Sequence, residues 1–168
     1  MATWSDFANA EPEMARRGRE LLNIPVAYLA TVRRDGAPRL HPLSPMFAEG
    51  RLFVAIQSSA PRRYDLLRDG RYSLHGLPPM LGPDYDEFEI NVTGRATLVR
   101  DATLRALVNE AEHARNRPSI EDDAWLFELD IETALTTVWN HKMVERGGRW
   151  IPTLDEMPQA THRVWNAA

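Results

Sequence analysis

The sequence contains no cysteine, which removes disulfide cross-links, thiolate nucleophiles and cysteine-ligated metals from the available chemistry. Lysine is nearly absent: of 20 basic residues only Lys142 is a lysine. The many arginines therefore reflect residue usage, and only those with a local structural reason carry weight. No apolar run approaches the roughly 20 residues of a membrane-spanning helix, and Met1 to Asp6 lack the basic start and apolar core of a secretory leader. The expected location is the cytoplasm. A net charge of −4 offers no basic surface for nucleic acid or an anionic membrane. The five histidines, at 41, 75, 113, 141 and 162, lie at least 21 residues apart and form no short-range metal pair. The patterns G-x-G-x-x-G, G-x-x-x-x-G-K-[S/T], G-x-S-x-G and H-E-x-x-H are all missing. No catalytic side chain and no metal site are expected.

What is present describes a globular chain. With 168 residues, 43% hydrophobic and 26% charged, it is long enough for a real core and short for two, so one domain over 1–168 is expected. An N-terminal helical segment, 3–22, opens with capping-box spacing at Thr3 to Asp6 and has Pro12 at the first turn of a second helix. Met14, Gly18, Leu21 and Leu22 share one face of that helix. A barrel core over 26–151 follows, beginning with three β-rich runs (26–32, 38–47, 51–57) joined at Asp35-Gly36 and Glu49-Gly50, which reads as a meander. The second run holds Pro38, Pro42 and Pro45, which cannot donate to a ladder, so an edge or bulged strand is expected. Arg71–Gly76 reads as a further strand, Leu77–Pro83 as a loop and the acidic residues 84–89 as a solvated loop entering a strand. From Phe88 to Leu98 apolar and polar residues alternate strictly, the clearest strand of the chain. Asp101 caps a helix with Leu104, Leu107, Val108 and Ala111 on one face, ended by Arg115 to Pro118. Trp125 to Ile131 alternates again, and a strand from Thr136 to Glu145 turns at Gly147-Gly148 into Arg149 to Ile151. The tail, 152–168, has no clear period. Six to seven strands with peripheral helices predict a mainly β (α+β) antiparallel barrel.

One stretch has chemistry in it. After the third run, Ser58-Ser59-Ala60-Pro61 leads into a short helix, Arg62 to Asp69, with Ser59 as the expected N-cap. Free backbone N–H groups, hydroxyls and two guanidinium groups, Arg62 and Arg63, converge there, which favours an anion. Two arginines on a short helix also fit a solvated face.

The order of Leu29-Ala30-Thr31, Asp35-Gly36, Gly50-Arg51-Leu52-Phe53-Val54, Ser58-Ser59-Ala60-Pro61-Arg62 and Asp65-Leu66 resembles the pyridoxamine 5′-phosphate oxidase-like flavin-binding split barrels over roughly residues 4–100, with a looser echo after 122. The resemblance implies a split barrel and a homodimer with a small-molecule cofactor and substrate near the subunit interface. It further implies a cofactor phosphate at Arg62 of the Ser-x-x-Lys/Arg pattern, with Ser58, Ser59 and Arg63 beside it. In the second strand His41, at the place of an arginine in the true oxidases, and Pro42, Leu43 and Ser44 would meet ring and phosphate. His41 fits a buried, satisfied histidine equally well. Val54 and Ala55 would flank the ring, or simply fill the barrel core, and Glu89 stands where the oxidases carry a glutamine near the ring. Gly147 to Pro152 departs from the Arg/Trp-rich segment with which the oxidases hold pyridoxal phosphate, so oxidation of pyridoxamine phosphate ranks last. The expected activity is that of an oxidoreductase using FMN, or alternatively the deazaflavin coenzyme F-420. The competing reading is a non-catalytic carrier or sensor of flavin, haem or another tetrapyrrole.

Overall fold

The computed structural model describes residues 2–23, 26–76, 87–140, 143–146, 149–152 and 159–168. The expected loop 77–83, the acidic residues Asp84 and Asp86 and the Gly147-Gly148 turn lie outside them.

Two helices open the chain, α1 (Trp4–Ala10) and α2 (Pro12–Leu22). The capping box forms as the spacing predicts: the Asp6 N–H donates to Thr3 Oγ1 at 3.2 Å and the Thr3 N–H to the Asp6 carboxylate at 2.8 Å. The Thr3 N–H and then the Thr3 hydroxyl, both donating to the Asp6 carboxylate, hold that carboxyl below its usual range. Trp4 and Phe7 are buried, with Trp4 edge-on to Phe7 and to Phe47 at centroid distances of 5.3 and 4.9 Å. Along α2 the buried stripe is Met14, Ala15, Gly18, Leu21 and Leu22. At Gly18 the helix lies close to the sheet, and a Cβ there would displace the end of the Ile90 side chain at Cδ1.

The strands are β1 (Ala27–Val32), β2 (Pro38–Leu43), β3 (Met46–Ala48), β4 (Arg51–Ile56), β5 (Arg71–Gly76), β6 (Glu87–Leu98), β7 (Trp125–Leu129), β8 (Thr133–Asn140), β9 (Met143–Arg146), β10 (Arg149–Pro152) and β11 (Gln159–Asn166), with α3 (Arg62–Arg68) and α4 (Ala102–His113) between them. One curled antiparallel sheet runs in the order β2-β1-β5-β6-β7-β4-β3, with β8 paired to β6 and β11 to β8. This is the split barrel with peripheral helices.

The expected run 38–47 is two strands. Pro45 has no N–H and restricts Ser44 before it, so the chain leaves β1 after Leu43 and restarts at Met46 against β4. The continuous meander is thereby corrected: β2 and β3 occupy opposite ends of the strand order. Both are edges, as the prolines predict. The strand expected from Thr136 to Glu145 instead starts at Thr133, and β9 and β10 form a separate two-stranded pair. In the tail, β11 pairs with β8 along its whole length.

A corner splits the sheet. β6 pairs with β8 through Thr93 and with β7 from Ala96, and the chain turns between β7 and β8 at Asp130 to Glu132. Asp130 crosses directly over Gly94, where a Cβ would stand 2.7 Å from its Oδ1 and closer still to its carbonyl oxygen. Burial holds the Tyr72 hydroxyl well above its usual pKa, so it stays protonated and donates to the Asp130 carbonyl at 2.6 Å. β4 is covered on both sides, which explains its continuous apolar run. Leu52, Val54 and Ile56 face the barrel interior, while Phe53 joins Met46, Val108, Ile120 and Leu126 in a second core under α4.

Candidate functional site

A cleft of about 630 Å³ opens between the end of β2, β3, β4, the start of α3 and the chain that follows α4. Pro42, Leu43 and Ser44 line it from the β2 end, Ala55 and Gln57 from β4, and Arg62 from the first turn of α3. Met46, Ala55, Ile120 and Ala124 give it an apolar lining, and Glu112 and Arg117 add a charged pair. Size and composition suit a planar, drug-sized ligand held by a few polar groups.

Five of the sequence-predicted residues meet in this cleft: Pro42, Leu43, Ser44, Ala55 and Arg62. The helix begins at Arg62 as expected, but its N-cap is Pro61, whose side chain has no polar atom to cap with, and the expected cap Ser59 lies in the turn before it. Arg62 Nε is buried without a hydrogen-bond partner, and that desolvation lowers the guanidinium pKa from its usual value. Beside it on β2, His41 Nε2 is likewise buried and unpartnered. Burial, then the nearby charges of Arg62 and Arg39, hold the imidazole below its usual range, with Asp65 opposing them. Arg39 has its own counter-ion: Asp65, only 4% exposed, accepts from Arg39 Nε at 2.8 Å and from Thr31 Oγ1 at 3.2 Å. Arg62 Nε, in the cleft, and His41 Nε2, just outside its lining, are thus two buried nitrogens without partners. An anionic group such as a phosphate fits them.

The other predicted residues lie around or away from the cleft. Val54 points into the barrel and is wholly buried. Ser58 Oγ donates to Asp123, and Ser59 is exposed. Arg63 lies over the rings of Tyr64 and Trp125, 4.3 and 5.4 Å from their centroids, with its Nε and Nη1 buried and unpartnered. Glu89 sits on β6 opposite Thr137, with two strands, β1 and β5, between it and β2 in the sheet order.

The charged pair went unread in the sequence. Glu112 is 3% exposed and accepts from Arg115 Nη1 at 3.0 Å and from Arg117 Nη1 at 3.5 Å. Arg117 also donates to the Pro45 carbonyl at 3.3 Å and to the Asn23 carbonyl, and Arg115 donates to the Asn23 side chain. Burial and then the charge of Arg117 lower the Arg115 pKa. The signal was there: Glu112 stands four residues after Val108, on the buried stripe of α4, with arginines three and five residues on. Among the described residues no group of three His, Asp or Glu side chains is placed to hold a metal ion, and no helix is long and apolar enough to cross a membrane.

A family model described as pyridoxamine 5′-phosphate oxidase matches residues 15–137. The chain belongs to the pyridoxamine 5′-phosphate oxidase family. The match runs through α2, the whole strand path and α4, further than the stretch that carries the motifs. No curated protein sequence matches the chain. Among solved structures, HutZ, the haem storage protein from Vibrio cholerae, is similar at 22% identity and a TM-score of 0.59, over 73% of this chain and 89% of that one. A NimC/NimA family protein from Clostridium acetobutylicum is similar at 17% identity and 0.55, over 89% and 92%. A haem-binding protein from Mycobacterium smegmatis is similar at 18% identity and 0.55, over 85% of this chain, which spans 56% of that longer one. At these identities the likeness is one of fold.

Proposed function

We propose that this chain is an oxidoreductase that binds FMN, or a deazaflavin coenzyme of the same shape, in the cleft with the phosphate at Arg62. The observation that carries the reading is the buried, unpartnered Nε of the Arg62 guanidinium, whose charge acts on the similarly unpartnered His41 nitrogen. A charge held this way is costly alone and favourable with an anion. When bound, the cofactor ring supplies the hydride chemistry. The protein's part is to hold and shield it: Arg62 and His41 take the phosphate, with Ser58, Ser59 and Arg63 at the same turn. Pro42, Leu43, Ser44 and Ala55 lie along the ring, and Met46, Ile120 and Ala124 exclude water beneath it. Val54 supports that strand from the barrel side, and Glu89 belongs to the same proposal as a more distant contact.

A second reading is a haem carrier or sensor on the same barrel. It is supported by the unpartnered Nε2 of His41, a group able to ligate iron, and by the fold likeness to proteins named for haem binding and storage. Oxidation of pyridoxamine phosphate ranks below both.

The proposed assembly is a homodimer. Leu40 on β2 and Val164 on β11 are 63% and 54% exposed, apolar area that a second copy would cover. Light scattering of cofactor-loaded protein should give twice 19.1 kDa, and a monomer mass at micromolar concentration would remove the dimer.

The function is tested by the absorption spectrum of the purified protein and by titration with FMN, a deazaflavin coenzyme and haemin. Saturable flavin or deazaflavin binding, with reoxidation of the reduced cofactor by a quinone, enone or nitro acceptor, is the expected result. Binding of haemin alone would establish the carrier reading instead.

A further inference from the structure

We infer that the Glu112–Arg117 wall of the cleft reads the pyrimidine-dione edge of its ligand, the C2=O, N3–H, C4=O row that flavins and deazaflavins share, and so selects that ligand class against tetrapyrroles. The inference rests on the reading that such a ligand has its phosphate at Arg62.

Both residues line the cleft, on the segment ending and following α4, whereas Arg62 lines it from α3. Met46, Ala55, Ile120 and Ala124 give the same cleft an apolar lining. A planar ligand with its phosphate at Arg62 would lie on this apolar lining and bring a ring edge to Glu112 and Arg117, which line the same cleft.

The pair is built to hold still. Glu112 accepts Arg115 on Oε1 and faces Arg117 on Oε2, and Arg117 is tied to the carbonyls of Pro45 and Asn23. α4, the lead into β3 and the end of α2 thus fix one guanidinium and one carboxylate side by side. A carboxylate has more lone pairs, and a guanidinium more N–H groups, than these bonds use. What the wall offers a ligand is a donor next to an acceptor. The matching ligand edge presents an acceptor next to a donor, as a flavin carbonyl and N3–H do. A haem offers carboxylates and an apolar perimeter. Its carboxylates would face Glu112, and its perimeter would leave both buried groups without new partners.

A purely structural role for the pair, pinning α4 to β3 and α2, makes no such distinction, so the test reads ligand chemistry rather than stability. Wild-type protein is titrated by flavin fluorescence quenching with FMN, N3-methyl-FMN and riboflavin, and by absorbance with haemin. Losing the N3–H should weaken binding about tenfold or more. Arg117→Met should weaken FMN and riboflavin by a similar factor, whereas Arg62→Met should weaken FMN alone. If Arg117→Met does not fold, the N3-methyl comparison on the wild type decides by itself. Equal affinity for FMN and N3-methyl-FMN, with FMN still bound more tightly than riboflavin, would overturn the edge assignment and leave the phosphate reading standing. No binding of any flavin or of a deazaflavin coenzyme titrated alongside them, with or without binding of haemin, would overturn both.

Discussion

Replacing Arg62 by methionine should make the ligand-free protein slightly more stable while crippling ligand binding, a combination that follows from its environment. Its Nε is buried and unpartnered, and desolvation alone depresses its pKa. A buried donor without a partner costs about 1–3 kcal/mol. Arg62 is half-buried and its outer nitrogens still reach water, so the lower end, about 1 kcal/mol, applies. Methionine keeps most of the aliphatic stem against the cleft and removes the charge. In a domain of this size about 1 kcal/mol moves the melting temperature by roughly 2–4 °C, so the ligand-free variant should melt about 2 °C higher. Against that, a charge-assisted contact to phosphate is worth about 1.5–3 kcal/mol, so FMN affinity should fall about 10- to 150-fold. Thermal melts and fluorescence titrations on the same preparations measure both. A variant that melts several degrees lower and binds FMN unchanged would refute the reasoning and return Arg62 to a packing role.

Gly94→Ala should abolish soluble expression or cost about 3 kcal/mol or more in urea denaturation, since the new methyl would overlap Asp130 at the barrel corner; a wild-type midpoint would contradict the corner geometry. Glu112→Ala leaves Arg115 and Arg117 without their counter-ion, a change worth about 3–5 kcal/mol for a buried pair, and a loss below about 1 kcal/mol would show that water already screens it. For His41 the sign follows from its lowered folded-state pKa. The unfolded chain, with a value near 6.5, takes up the proton first, so its contribution to ligand-free stability is full above that pH and is lost as pH falls towards the folded value. Melts between about pH 5 and 8 should show a decline that His41→Gln makes shallower, and an identical slope in the variant would exclude His41 as the cause.

The fold was legible where one residue decides one feature. Thr3 and Asp6 predict the first helix start, strict alternation predicts β6, and three prolines predict an edge. It was illegible where the decision is made between distant segments. Pro45 reads as one more edge proline, and only the competition between β1 and β4 for the flanking residues turns it into a break between two strands. β11 carries no period because its neighbours divide it unevenly: Trp165 packs against Phe7, while Val164 stays exposed. At the site, Arg62 could be picked out from the turn before it and the family pattern. The helix start at Arg62 was legible too, but not its cap: Ser59 belongs to the preceding turn and Pro61 takes the cap position. Glu112 and Arg117 looked like the polar end of a surface helix. Their burial comes from Asn23 and Pro45, which nothing local in the sequence connects to them.

The central claim, a phosphate bound at Arg62, is tested most directly by a four-way comparison of FMN and riboflavin on wild type and Arg62→Met. The two ligands differ only by the phosphate, so the cycle isolates its coupling to the guanidinium. The account predicts that wild type prefers FMN by about tenfold or more and that the preference nearly vanishes in the variant. Equal binding of the two ligands by the wild type, or an unchanged preference in Arg62→Met, would contradict it.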